Sequence, residues 1–202
     1  MFFDIGANLT HSDFKDDLST VIDRAKEAGV LQMAVTGASL DGSKQAVALS
    51  EQFEALFATV GVHPHHAEEI NEDTLETLKA LAGQERVVAI GETGLDYFRD
   101  FTPRGQQRKA FEAQLALAAE LGKPLFLHER DAADDFTAIL TKYRDRLDSV
   151  VVHCFTGNAQ TLSRYLDLDC HIGITGWICD ERRGSHLHSL ICDIPSNRLM
   201  IE

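Results

Sequence analysis

The chain has 202 residues, 44% hydrophobic and 25% charged. That is enough apolar mass for a sizeable core and, without a composition shift or Gly/Ser/Pro-rich linker, most simply one domain over 1–202. A net charge of -13 excludes a protein that tracks nucleic acid through broad Lys/Arg clusters, so a phosphate-bearing substrate calls for a local positive device such as a metal ion.

The opening MFFDIGANLT lacks the basic region of a signal peptide, and no apolar run approaches the ~20 residues of a membrane span, so a soluble, cytoplasmic protein is expected. From there the chain alternates. The apolar runs FFDIGANL, LQMAVTG, LFATVGVHP, VVAIGETGLD, PLFLHER, VVVHCFTG, CHIGITGWI and LMIE begin near residues 2, 31, 56, 87, 124, 150, 170 and 199, with helical patterns between them. Over 104–121, Thr102 can cap, Pro103 suits the first helical position, Phe111, Leu115 and Ala118 share a face, and Gly122 ends the helix. Asp131 is placed to cap the next helix, with Phe136, Ile139, Leu140 and Tyr143 inward. Cys154, Cys170, Cys179 and Cys192 are widely spaced without a CxxC and read as reduced, mostly buried thiols.

Near-continuous apolar strands suit a parallel sheet covered by helices. The alternation predicts an α/β fold, a (β/α)8 TIM-type barrel, with an open doubly wound sheet as the alternative. Eight runs enclose seven helical segments and the last run ends at Glu202, so the closing helix of the barrel is expected to be missing and its edge strand unsupported.

In a parallel barrel the residues at the carboxyl ends of strands carry the chemistry. Glu92 follows VVAIG, His128 follows PLFL and His153 follows VVV. One carboxylate and two imidazoles at equivalent positions on strands four, five and six outline a divalent-metal site suited to Zn2+, Mn2+, Fe2+ or Mg2+. Each alone is as well explained by a hydrogen-bonded strand-end residue, with Glu92 paired to Arg130.

GVHPHHAEE, AIGETGLDYF, FLHERDA, HCFTG and GITGWICDERRG, in this order and spacing, resemble the TatD family of metal-dependent deoxyribonucleases within the amidohydrolase-like barrels, over nearly the whole chain. The resemblance implies Glu92, His128 and His153 as metal ligands, with Glu92 also catalytic. It implies Arg130 as a catalytic and substrate-binding arginine near the phosphate, His63 and His65 as cleft-lining residues, and Asp96 as a residue that orders the site. It further implies a 3'-to-5' exonuclease on single-stranded or frayed DNA, RNA included, in DNA repair or degradation, using Mg2+ in cells or else Mn2+ or Zn2+, without an obligate protein partner.

Two departures accompany the resemblance. Gly6 and Asn8, after Asp4, stand where many family members carry an HxH ligand pair, which weakens one metal position. The Thr-Asp-Ala-Pro stretch that follows the last strand in the family, with an Asp that is both ligand and base, has no counterpart before Glu202. Poor catalysis and marginal folding are the expectation. The competing functions are a deacylase of D-aminoacyl-tRNA or another amidohydrolase, and a non-catalytic metal or phosphate binder.

Weaker signals remain. Arg182 and Arg183 can grip a phosphate but are more simply solvated, as are Arg99, Arg104, Arg108 and Lys109. Phe98 and Trp177 can stack a base, although packing against loops is the simpler reading. His171, His186 and His188 are expected to be structural, and two of His63, His65 and His66 to point outward.

Overall fold

Each apolar run forms a strand in the computed structural model, which describes residues 1–202. The strands are β1 (Phe2–Ala7), β2 (Val30–Val35), β3 (Leu56–Val60), β4 (Val87–Asp96), β5 (Leu125–Arg130), β6 (Val150–Val152), β7 (His171–Ile174) and β8 (Leu199–Ile201). They form one eight-stranded sheet in chain order, each strand parallel to the next. Such an order requires a crossover after every strand. Helices α1 (Leu18–Glu27), α2 (Leu40–Gln52), α3 (Glu72–Ala82), α4 (Arg104–Leu121), α5 (Ala133–Tyr143) and α6 (Ala159–Asp167) supply six, and the single turn α7 (Leu187–Leu190) lies in the seventh. β1 and β8 lie side by side with Cα atoms within 8 Å, while ladder bonds join them only to β2 and β7. The result is the expected barrel, nearly closed.

The helices start where short polar side chains satisfy free amides. Ser39 accepts from the Gly42 amide at 3.0 Å, Asn71 from Thr74 at 3.0 Å and Asn158 from Thr161 at 2.9 Å. Two expected caps differ. The Thr102 hydroxyl donates to the His65 carbonyl at 3.1 Å, leaving Pro103 in the cap position of α4. Asp131 turns left-handed at φ +54°, and Glu129 Oε1 instead accepts the Ala132 amide at 2.6 Å. At Thr102 a tertiary partner took the hydroxyl that local pattern assigned to the helix, and at Asp131 a left-handed turn left the amide of Ala132 to a carboxylate three residues back.

Between sheet and helices, 37 buried residues form one continuous apolar cluster. Phe136 stacks on Phe111 at 5.1 Å and meets Tyr165 edge-on at 5.5 Å, joining α4, α5 and α6. Phe136, Ile139 and Leu140 are buried as expected, with Tyr143 partly so. The thiols are all free, but only Cys170 is buried, where burial raises it to about 12. Cys154 is half-covered, and Cys179 and Cys192 are exposed because they lie in the short turns between β7 and β8 rather than on strands.

Two fully buried glutamines of α4 fix the strand ends that carry the site. Gln114 accepts from the Val62 amide at 2.8 Å and donates to the Val62 carbonyl at 3.0 Å and the Thr93 hydroxyl at 2.7 Å. Gln107 accepts from the Asp96 amide at 2.9 Å and donates to the carbonyls of Asp96 at 3.1 Å and Thr102 at 2.7 Å. Each amide thus replaces a missing ladder partner next to a functional residue. Gln114→Leu strands the Val62 amide and carbonyl and is expected to cost about 2 kcal/mol or more. The check is a lower urea midpoint at unchanged slope; a midpoint equal to wild type would refute the clamp.

Candidate metal centre

Glu92 reaches the barrel axis because β4 carries one extra residue. Ile90 pairs with Leu125 and Thr93 with Leu127, three steps against two, so a bulge lies at Gly91–Glu92 and re-aims the side chain. Gly91 at φ +142° and Gly94 at φ +146° bracket it. A side chain on either would collide with the backbone of β5, at the carbonyl oxygens of Phe126 and His128.

Three imidazoles converge on one oxygen of this carboxylate. From Glu92 Oε1, His153 Nε2 is 2.8 Å away, His128 Nδ1 3.2 Å and His63 Nε2 3.5 Å. A second carboxylate, Asp96, lies 2.8 Å from His65 Nε2 and 3.4 Å from His128 Nε2 through Oδ2. None of these six side chains is more than 20% exposed. His63 and His65 come from the turn Pro64–Glu69 and its cap, their rings edge-on at 4.2 Å. Both face inward, so of the three loop histidines only His66 points outward, against the expectation of two.

The donor atoms of His63, Glu92 and His128 lie within 4.8 Å of one another, as do those of His63, His65 and Asp96. The first set replaces one member of the strand-end trio by a loop histidine. His153 joins it through Glu92, with its ring 5.8 Å from that of His128. Arg130 stands apart. It is two residues beyond His128 on β5, its guanidinium over the rings of Phe98 at 4.9 Å and Trp177 at 5.5 Å, and it does not pair with Glu92. A polar cleft of about 700 Å3 lies among the segments after β4, β5 and β6, lined by Tyr97, Arg130, Asn158, Thr161 and Arg164 among others and by none of the six side chains of the centre.

Sequence reasoning missed Glu202. Its side chain is 4% exposed, with Oε2 2.9 Å from His153 Nδ1 and Oε1 accepting the Cys154 amide. It follows LMI just as Glu92 follows VVAIG, so the strand-end rule had the signal. Its carboxylate and the Phe126 ring also fill the space a side chain at Gly6 would need, the ring 2.9 Å from where a Cβ would lie. Asn8 is exposed. Strand β1 therefore offers no ligand side chain, and Asp4 instead accepts the Gly6 amide at 2.9 Å.

Electrostatics follow from burial and proximity. Burial lowers His63 to about 3, beyond what nearby Glu92 restores, so its imidazole is neutral. Burial works against charge on His128 and His153 as well, but Asp96 and Glu92 outweigh it at His128, and Glu92 with Glu202 at His153, and both are raised. Burial alone would raise the Glu92 and Asp96 carboxyls, yet the histidines around them, and at Asp96 also the Arg99 amide, hold both well below the usual range. His128 Nε2 is buried and faces Asp96 Oδ2 at 3.4 Å as an ion-pair neighbour, without a hydrogen bond of good geometry. That imidazole nitrogen, a neutral histidine and two ionised carboxylates form a donor set that fits a divalent cation.

The remaining candidates have structural partners. Arg99, Arg104 and Arg108 are exposed, as expected of a solvated face, and pair with Asp96, Asp100 and Asp135. Arg183 pairs with Asp180, and Arg182 is 87% exposed. His186 and His188 bond the carbonyls of Thr156 and Ile178. A carboxylate behind a histidine that grips a ligand fixes the orientation of that ligand, so Glu202→Ala is expected to weaken divalent-ion binding about 10–100-fold. Calorimetric titration with Mn2+ measures it; unchanged affinity would show that His153 is held without Glu202.

The pattern of TatD-related DNases matches residues 3–202. A curated relative from Dickeya dadantii, named 3'-5' ssDNA/RNA exonuclease TatD, is 49% identical over 99% of this chain and 76% of its own length. The crystal structure of YjjV, a TatD homologue from Escherichia coli K12, superposes with a TM-score of 0.89 at 30% identity, covering 98% of this chain and 76% of that one. That of a TatD-family hydrolase from Entamoeba histolytica gives 0.88 at 29% identity, covering 100% and 72%. On sequence, fold and motif order alike, the chain belongs to the TatD-related DNase family.

Proposed function

We propose that this chain is a divalent-metal-dependent 3'-to-5' exonuclease acting on single-stranded DNA and RNA. The observation that carries the reading is the convergence of His153, His128 and His63 on Glu92 Oε1 at the carboxyl mouth of the barrel. In a protein of net charge -13, that donor set suits a cation and repels phosphate without one. The names of relatives 48–49% identical to the chain support the substrate and direction. We propose Mg2+ as the ion used in cells, with Mn2+ and Zn2+ compatible with the imidazoles. The four free thiols suit a reducing cytoplasmic setting.

A divalent ion bound there supplies Lewis acidity to a nonbridging phosphoryl oxygen and lowers the pKa of water. The chain supplies the rest. Glu92, His63 and His128 would hold the ion, and Glu202 accepts from His153 Nδ1 so that the Nε2 of His153 faces Glu92. Asp96 orients His65 and His128. Arg130, with no carboxylate of its own, donates to the substrate phosphate. A charged mouth set in an acidic surface admits a strand end more readily than a long duplex groove.

EDTA is expected to abolish release of nucleotides from 3'-labelled single strands, and added Mg2+ or Mn2+ to restore it. Glu92→Ala should remove nuclease activity and divalent-ion binding together, because it deletes the oxygen on which three imidazoles meet. Nuclease activity surviving in Glu92→Ala would place the site elsewhere. Turnover of an aminoacyl ester without turnover of DNA or RNA would replace the nuclease by a deacylase.

A further inference from the structure

We infer that Phe98, Arg130, Trp177 and Arg183 form a stacking rail that receives the bases of a single strand beside the metal centre; the inference rests on the nuclease reading and extends it to how the strand is recognised. The four side chains alternate ring and cation. The Arg130 guanidinium carbon lies 4.9 Å from the Phe98 ring centre and 5.5 Å from that of Trp177, and the Arg183 carbon lies 4.4 Å from Trp177. They come from separate segments, after β4, at the end of β5 and after β7, so only the folded barrel assembles the row.

Two features distinguish this row from ordinary surface packing. Phe98 is 61% exposed, which leaves ring surface open to solvent while Arg130 lies against it. A lone exposed aromatic is common, but this one is also positioned: its amide donates to Asp96 Oδ1 at 3.1 Å, the carboxylate whose other oxygen meets His65. Arg130 is the second feature. In a chain with 32 acidic against 19 basic residues, it is held by ring faces, whereas Arg99, Arg104, Arg108 and Arg183 are each matched by an aspartate. Stacking occupies the faces of the guanidinium and leaves its N–H edge free for a phosphate.

The position fits a neighbouring nucleotide. Arg130 pairs in register with Asp96, two residues beyond the pairing of His128 with Gly94, about 7 Å farther out along the strand. A ring reads the face of a base, which every base presents, and does not read its edge or the sugar. The rail is therefore indifferent to sequence and to DNA against RNA. It excludes duplex, where base faces are already stacked on their neighbours.

Trp177 is the only tryptophan of the chain, so its emission reports on the row directly. Phosphorothioate-protected oligothymidylate, an abasic oligomer of equal length and a blunt duplex serve as probes. The thymidylate strand should quench Trp177 and bind about tenfold or more tighter than the abasic strand, the order of one stacked base, and the duplex should not quench. Phe98→Ala should collapse the preference for the base-bearing strand, and Phe98→Tyr should keep it. Equal binding of the two strands by the wild type, or an undiminished preference in Phe98→Ala, overturns the rail. Cleavage of single strands together with equal binding of the base-bearing and abasic strands removes the rail alone, whereas neither binding nor cleavage of any strand removes the nuclease reading with it.

Discussion

A carboxylate held out of water is the constraint around which the mouth of this barrel is arranged. An ionised group that is 12% exposed, as Glu92 is, is costly to bury unless charge and hydrogen bonds answer it. Three imidazoles answer it, and they require partners in turn. The result is an alternating line from Glu202 through His153, Glu92, His128 and Asp96 to His65, with successive separations of 2.9, 2.8, 3.2, 3.4 and 2.8 Å. Protons and a divalent cation compete for the same nitrogens in such a line, so ion binding and proton release are linked.

The scaffold grips the site's backbone at two places. Gln107 grips the backbone of Asp96, and Gln114 grips Val62, next to His63. Buried amides that satisfy both a donor and an acceptor of one residue leave little freedom, and this is how a helix outside the barrel positions side chains inside it. Asp96 then serves two directions at once, Oδ2 toward the histidines and Oδ1 toward the amides of Phe98 and Arg99. The loop that carries the exposed phenylalanine is thereby referenced to the metal centre rather than to solvent.

Much of this was legible in the sequence because parallel strands are written as apolar runs, and all eight runs became strands. The rule that chemistry collects at carboxyl strand ends placed Glu92, His128 and His153 at one mouth. It said nothing about how far into that mouth a loop histidine reaches, since the Pro64 turn depends on contacts distant in sequence; the His63 ring proved closer to that of His128 than the His153 ring is. Glu202 was within reach of the same rule. The helix cap at Thr102 was misread because the distant His65 carbonyl took its hydroxyl, which local pattern cannot show, and that at Asp131 because the residue turns left-handed and Glu129, three residues before Ala132, accepts the amide there.

The extra residue in β4 makes the character of the lumen a question of parity. Along a regular ladder from the pairing of Ile90 with Leu125, Leu95 would stand opposite Arg130, and its neighbour Asp96 would face the helices. The bulge advances the count by one, so that Asp96 pairs with Arg130 and Leu95 with Glu129. Neighbours in register point to the same side of a sheet, and the aspartate enters the lumen while the leucine joins the apolar cluster. Deleting the extra residue between Ile90 and Thr93 would keep Asp96 opposite Arg130, whereas the same sequence run as a regular ladder, without the bulge, would turn the functional face inside out.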